Sequence, residues 1–114
     1  MSNLSSSFEL LHDSVQKWIW RQGWTSLKDI QESSIPVVLR RDSDVIISAA
    51  TAGGKTEAAF LPILSHVLSN PSNGFDVLYV SPLKALINDQ YRRLLDMTSG
   101  TDVEVTPWHG DIDA

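Results

Sequence analysis

The chain has 114 residues, which is enough for one compact domain, and its 42% hydrophobic content can supply a core. Its formal net charge of -5 provides no overall basic surface of the kind that most nucleic-acid binders carry. The absence of cysteine excludes disulfides and thiolate zinc sites, and the histidines are too scattered for a metal cluster. The sequence has neither a secretory leader nor the about 20 apolar residues of a membrane span, so we expect a cytoplasmic protein with no membrane partner.

The first 40 residues show a helical pattern. Apolar residues recur at three- and four-residue intervals from Phe8 to Trp20, which predicts a helix with one buried face. Gly23 ends this pattern. A second apolar series between Leu27 and Leu39 predicts a shorter helical region that is interrupted or restarted near Pro36.

From residue 41 onward, β-branched runs alternate with helical patterns. The runs at 44–48, 75–82 and 102–108 predict strands of the kind buried in a parallel sheet. Between them lie two predicted helices, Thr56–Ser69 with a bend at Pro62, and one that follows Pro82. This order implies right-handed crossovers, so the sequence predicts an α/β fold with a parallel sheet, preceded by N-terminal helices.

The segment 49–56, AATAGGKT, fits the phosphate-binding loop pattern with Ala49 in place of the first glycine. It follows a predicted strand and opens a predicted helix, as that pattern requires. Its glycines let successive N–H groups turn toward a phosphate at the positive end of the helix. Lys55 supplies a cation for the β and γ phosphates, and the Thr56 hydroxyl can ligate Mg²⁺, so we assign these two residues catalytic roles. The predicted nucleotide-binding residues of this loop are Thr51, Ala52, Gly53, Gly54, Lys55 and Thr56.

The segment 23–36, GWTSLKDIQESSIP, resembles the Q motif of superfamily 2 helicases. An aromatic after Gly23, a glutamine at position 31 and the pair Ile35-Pro36 stand at the positions that the family uses. The resemblance implies that the Gln31 amide makes a bidentate contact to adenine, so that the site selects ATP. The position from which the family often stacks an aromatic on adenine is Ser14, which leaves the stacking residue unassigned.

Two later segments look like nucleic-acid-binding elements of the same superfamily. YVSPLKALINDQYRRL at 79–94 resembles motif Ia in the form found in large helicase-related or Ski2-like proteins. This implies that Ser81, Pro82 and Lys84 contact the sugar-phosphate backbone of one strand, without distinguishing DNA from RNA. TPWHGDIDA at 106–114 resembles the next element, in which Gly110 gives close backbone access.

The resemblance implies the N-terminal part of a first RecA-like domain. Residues 1–40 would form its helical region with the Q-motif-like segment, and residues 41–114 an incomplete RecA-like ATP-binding domain. ATP hydrolysis also needs a Walker B Asp-Glu pair and arginine fingers from a second domain, and this sequence contains neither. We therefore expect a fragment of an ATP-dependent helicase or translocase that is inactive alone and whose uncovered apolar faces favour self-association.

Two other function classes stay open at this point. A small phosphate-loop kinase or GTPase would share the central loop but would need no Q motif. A non-catalytic helicase-like module would keep the fold as an interaction surface and bind no nucleotide, which an intact Gly54-Lys55-Thr56 argues against.

Overall fold

The computed structural model describes residues 5–49, 54–72, 74 and 76–107. Its helices are α1 Ser6–Glu9, α2 Asp13–Gln22, α3 Asp29–Arg40, α4 Lys55–Ser69 and α5 Lys84–Met97. The chain divides into two compact units, Met1–Asn70 with α1 to α4, and Pro71–Ala114 with α5. The sequence predicts a different division, into a helical region at 1–40 and an ATP-binding domain at 41–114. That division is based on expected function, and it stays a prediction.

The predicted helix from Phe8 to Trp20 is two helices, because the chain is extended at His12, with φ -62° and ψ 148°. The Nδ1 atom of His12 accepts the Ser14 N–H at 3.1 Å and so caps α2. The His12 N–H donates to the Ser65 hydroxyl of α4 at 3.0 Å. A contact with another helix therefore fixes the break. Gly23 ends α2 with φ 75°, as its position in the sequence predicts.

Helix α3 continues through Pro36, so the predicted interruption there is wrong. Proline has no N–H, and the Glu32 carbonyl four residues earlier consequently loses its donor within the helix. The Ser7 hydroxyl of α1 donates to this carbonyl at 2.9 Å. A donor from a neighbouring helix thus replaces the missing one, and the helix does not need to break.

Helix α4 matches its predicted range to within one residue and continues through Pro62. The carbonyl that Pro62 leaves without a helical donor belongs to Ala58. The Ser34 hydroxyl of α3 donates to that carbonyl at 2.6 Å. Ser34, Ala58 and Pro62 are all buried, so this hydrogen bond lies inside the packed interface of α3 and α4.

The core of the Met1–Asn70 unit lies where α3 packs on α4, with α1 against α3 and α2 against α4. Two aromatic pairs meet edge to face, Phe8 with Trp20 at 5.2 Å and Trp18 with Trp24 at 5.4 Å. Phe8 and Trp18 are buried core residues, so packing explains these two aromatic side chains and no stacking on adenine is needed. Among the described residues of this unit, the buried apolar side chains include Phe8, Leu11, Val15, Trp18, Ile19, Leu27, Ile35, Ala58, Phe60, Leu61 and Leu64.

The predicted parallel sheet is not confirmed. Within residues 5–49, 54–72, 74 and 76–107, no residue belongs to a strand. In two of the predicted strand segments, apolar side chains are instead exposed: Ile46 is 94% exposed, Leu78 87% and Val80 77%. A parallel strand takes its ladder hydrogen bonds from adjacent strands and its cover from helices on both faces. The part of the chain that the structure describes supplies no such ladder to these segments.

In the Pro71–Ala114 unit, α5 begins at Lys84, shortly after Pro82, as the sequence predicts. Leu94 and Met97 are its buried residues, and the hydroxyl of Thr98, the C-cap, donates to the Leu94 carbonyl at 2.8 Å. None of the helices in the described residues is long and apolar enough to cross a membrane.

Candidate functional site

Gly54 shapes the start of α4. It is the N-cap of that helix, with φ 93° and ψ -6°, in the left-handed region that favours glycine. Its carbonyl accepts the Ala58 N–H at 2.9 Å and so closes the first turn. The Lys55 side chain is exposed and Thr56 is half-buried. The Lys55 cation is therefore exposed to solvent at the positive end of a helix of 15 residues. This combination is suited to binding a phosphate.

The side chain of Gln31 joins α3 to this turn. Its Nε2 atom donates to the Gly54 carbonyl at 3.4 Å, and its Oε1 atom accepts the Lys28 N–H at 2.9 Å. Gln31 is only 1% exposed, so it is not a solvated glutamine on a helix surface. The structure thus brings together two predicted site residues that lie 23 positions apart in the sequence.

Lys28 packs against the same glycine. A Cβ atom on Gly54 would lie 2.9 Å from Lys28 Cδ and 3.1 Å from Gln31 Nε2. Both distances are too short for an ordinary carbon contact, so these two side chains occupy the space that a larger residue would need. Glycine at position 54 therefore permits the left-handed turn and also the close approach of α3 to the start of α4.

No role follows from the sequence pattern alone for Lys28 or Ser34, although both contact the start of α4. The signal for Lys28 is its position three residues before Gln31, the spacing of a capping box. The signal for Ser34 is Pro62, because a proline inside a helix frees the carbonyl four residues earlier for another donor. Both features indicate a contact with the start of α4 only when the packing of α3 on α4 is already known.

The candidate nucleic-acid-binding residues of the Pro71–Ala114 unit lie at the start of α5. Ser81 is half-buried, whereas Pro82 and Lys84 are exposed. Lys84 is the first residue of this helix of 14 residues, whose first turn carries no acidic residue. Exposed N–H groups at a helix start, together with a cation, are suited to phosphate contacts.

Some predicted site residues lie outside the described residues. They are Thr51, Ala52 and Gly53 of the phosphate loop, and Gly110 of the last helicase-like element. Their proposed roles stay predictions. The described part of the candidate nucleotide site is therefore the set Gln31, Gly54, Lys55 and Thr56, with Lys28 beside it.

A family model described as DEAD/DEAH box helicase matches residues 28–113. This match covers more than half of the chain, from the start of α3 through the whole of α5. The chain therefore belongs to the DEAD/DEAH box helicase family, which confirms the resemblance to superfamily 2 helicases. Membership implies a RecA-like fold class and removes the small kinase or GTPase as an interpretation. No solved structure matches the chain.

Several named helicases are similar to this chain. The ATP-dependent helicase Lhr-Core of Saccharolobus solfataricus is 37% identical over 94 residues, covering 78% of this chain and 10% of that protein. The probable ATP-dependent RNA helicase DDX52 of Bos taurus is 33% identical over 87 residues, covering 76% and 14%. The DEAD-box ATP-dependent RNA helicase RhpA of Helicobacter pylori is 38% identical over 87 residues, covering 74% and 17%. The chain thus spans between 10% and 17% of the length of these relatives.

Proposed function

We propose that this chain is the ATP-binding segment of an ATP-dependent nucleic-acid helicase or translocase. The observation that carries the proposal is the contact between the Gln31 amide and the Gly54 carbonyl at 3.4 Å. It joins the residue expected to read adenine to the turn expected to hold phosphate. The names of the similar proteins, which describe ATP-dependent helicases, support the same assignment.

In this proposal the triphosphate binds at the start of α4. The exposed Lys55 ammonium contacts the β and γ phosphates. The sequence pattern predicts that backbone N–H groups of the preceding glycine-rich loop donate to the same oxygens. The Thr56 hydroxyl would ligate Mg²⁺, and the bound ion would supply positive charge to offset that of the phosphates. The left-handed conformation of Gly54 and the positive end of α4 are the features that suit these ligands.

Adenine selection is assigned to Gln31. A primary amide carries two N–H groups and two acceptor lone pairs, and the contacts to Lys28 and Gly54 use one of each. One N–H and one lone pair therefore remain, which is the pair that the adenine edge requires. Because Gln31 is 1% exposed, atoms that cover it must move aside when the base binds.

The remaining parts of the proposal concern the larger protein. The segments 44–48, 75–82 and 102–108 form a parallel RecA-like sheet when adjacent strands and covering helices are present. One nucleic-acid strand contacts Ser81, Pro82, Lys84 and Gly110 through its backbone. Hydrolysis is assigned to the whole helicase, because it requires a carboxylate pair and arginine fingers in addition to the residues named here.

The test is Mg·ATP binding to this chain, measured by calorimetry with GTP as competitor. We expect Lys55→Ala to abolish binding and Gln31→Ala to remove the preference for ATP over GTP. Lys17→Ala and Gln22→Ala are matched controls, since both residues are exposed on α2 and neither belongs to the proposed site. Absence of ATP binding in a folded wild-type chain would refute the proposal and favour a non-catalytic interaction module.

A further inference from the structure

Lys28 occupies a position where helix capping does not explain a lysine. It is the N-cap of α3, with φ -72° and ψ 155°. Preferred N-cap residues carry a side-chain acceptor for the free N–H groups of the first turn, and an ammonium has no acceptor. Only half of a capping box is therefore formed, the half in which Gln31 Oε1 accepts the Lys28 N–H.

The side chain of Lys28 is directed along the phosphate-loop glycine. Its Cδ atom lies 2.9 Å from the position that a Gly54 Cβ would take, and the ammonium is only two bonds beyond Cδ. Lys55, the proposed phosphate-binding cation, is the next residue in the chain. The Lys28 ammonium is therefore within side-chain reach of any phosphate held at the start of α4.

The ammonium is also available for a ligand. Lys28 is exposed, and among the residues that the structure describes, none forms an ion pair with it. Its aliphatic stem packs on the glycine while its charge stays at the surface, as long cationic side chains commonly do. In a chain with a formal net charge of -5, a second cation beside the site would offset repulsion of an anionic ligand.

We propose that Lys28 is a second cation of the nucleotide site and binds a phosphate oxygen of the ATP triphosphate. This inference rests on the proposed function. Lys28 and Gln31 both lie against Gly54, Lys28 with its aliphatic stem and Gln31 with the amide expected to meet adenine. A nucleotide that spans the two would meet the Gln31 amide with its base and the Lys28 ammonium with its phosphates.

The test compares Lys28→Met, which keeps an unbranched stem and removes the charge, with Lys28→Arg, which keeps the charge. Binding of Mg·ATP and of adenosine is measured for each variant at several salt concentrations. We expect Lys28→Met to weaken ATP binding about tenfold and to make it less salt-dependent, with adenosine binding unchanged. Lys28→Arg should retain most of the affinity, and Lys17→Met on α2 should change nothing.

The outcomes separate this inference from the proposed function. If the wild type binds ATP, Lys55→Ala abolishes binding and Lys28→Met has wild-type affinity, the inference is wrong while the function stands. An equal loss of ATP and adenosine affinity in Lys28→Met would also overturn it, because the effect would then not be on phosphate. If the folded wild type binds no ATP, both fail.

Discussion

The hydroxyl of Ser34 in α3 donates to the carbonyl of Ala58 in α4 at 2.6 Å. That carbonyl is the one that Pro62 leaves without a donor, because a proline four residues later has no N–H. In the same way, the Ser7 hydroxyl of α1 donates at 2.9 Å to the Glu32 carbonyl, which Pro36 leaves without a helical donor. Two helices with an internal proline therefore stay continuous because serines on neighbouring helices replace the missing donors.

Replacing Ser34 with alanine should destabilise the chain by about 1 to 3 kcal/mol, because it leaves a buried carbonyl without a hydrogen bond. Urea unfolding followed by circular dichroism measures this change. Ser33→Ala is the matched control, since it makes the same substitution at the preceding, exposed position of α3. Equal stability of the two variants would show that the Ser34 hydrogen bond contributes nothing.

Pairing Ser34→Ala with Pro62→Ala tests the cause of that effect. Alanine at position 62 restores an N–H for the Ala58 carbonyl, so the loss of the serine hydroxyl should then cost less. We expect a coupling free energy of about 1 kcal/mol between the two substitutions, measured from the four unfolding curves. Strictly additive effects would contradict the proposed replacement of the proline's missing donor.

Ser7→Ala should lower the stability by about 1 kcal/mol, less than Ser34→Ala, because the Glu32 carbonyl is only partly buried and water can replace the donor. For a unit of this size the change corresponds to a melting-temperature decrease of about 4 to 8 °C. Ser6→Ala, at the exposed neighbouring position in α1, is the control. A larger decrease for Ser6→Ala than for Ser7→Ala would contradict the role given to the Ser7 hydroxyl.

Gly54→Ala should lower the stability of the chain more than Gly23→Ala does, although both glycines have a positive φ, 93° at Gly54 and 75° at Gly23. The strain of a left-handed alanine, about 1 to 2 kcal/mol, is common to the two variants. Only at position 54 does the added Cβ also meet side chains, those of Lys28 and Gln31. Gly54→Ala should therefore also weaken Mg·ATP binding, measured by calorimetry, whereas Gly23→Ala should not.

Gln31→Glu should destabilise the chain by about 1 to 3 kcal/mol at neutral pH. The new carboxylate can still accept the Lys28 N–H, but it cannot donate to the Gly54 carbonyl, so two acceptors would face each other in a buried place. Gln22→Glu adds the same charge at an exposed position and is the control. Chemical denaturation of the two variants, side by side, measures the difference.

Self-association through the exposed apolar segment 76–80 is a further prediction. Leu78 is 87% exposed, and exposed apolar residues beside backbone groups without a ladder favour pairing with another chain. Leu78→Lys should shift the chain toward monomer in sedimentation velocity. Thr106→Lys adds the same charge at an exposed polar position and should leave the association unchanged. Identical sedimentation of both variants would argue against this segment as the contact.

The sequence by itself determined some of the helices and the family. Apolar periodicity placed α4 and α5, and the glycine at position 23 marked the end of α2. These features depend on residues within one or two turns of each other, which a sequence pattern records directly. The spacing of the Q-motif-like segment and of Gly54-Lys55-Thr56 likewise indicated the helicase family that the match to residues 28–113 shows.

Only the tertiary structure decided whether the chain breaks at His12, Pro36 and Pro62. It continues through both prolines because Ser7 and Ser34 donate from other helices, and it breaks at His12 where Ser65 of α4 holds the backbone. The burial of Gln31 against Gly54 was likewise decided by the tertiary structure, because it depends on the packing of α3 against the start of α4. Each of these outcomes depends on a hydrogen-bond partner about 23 or more positions away, which no local pattern specifies. The predicted strands have the same dependence, because a β-branched run becomes a strand only when a neighbour supplies its hydrogen bonds.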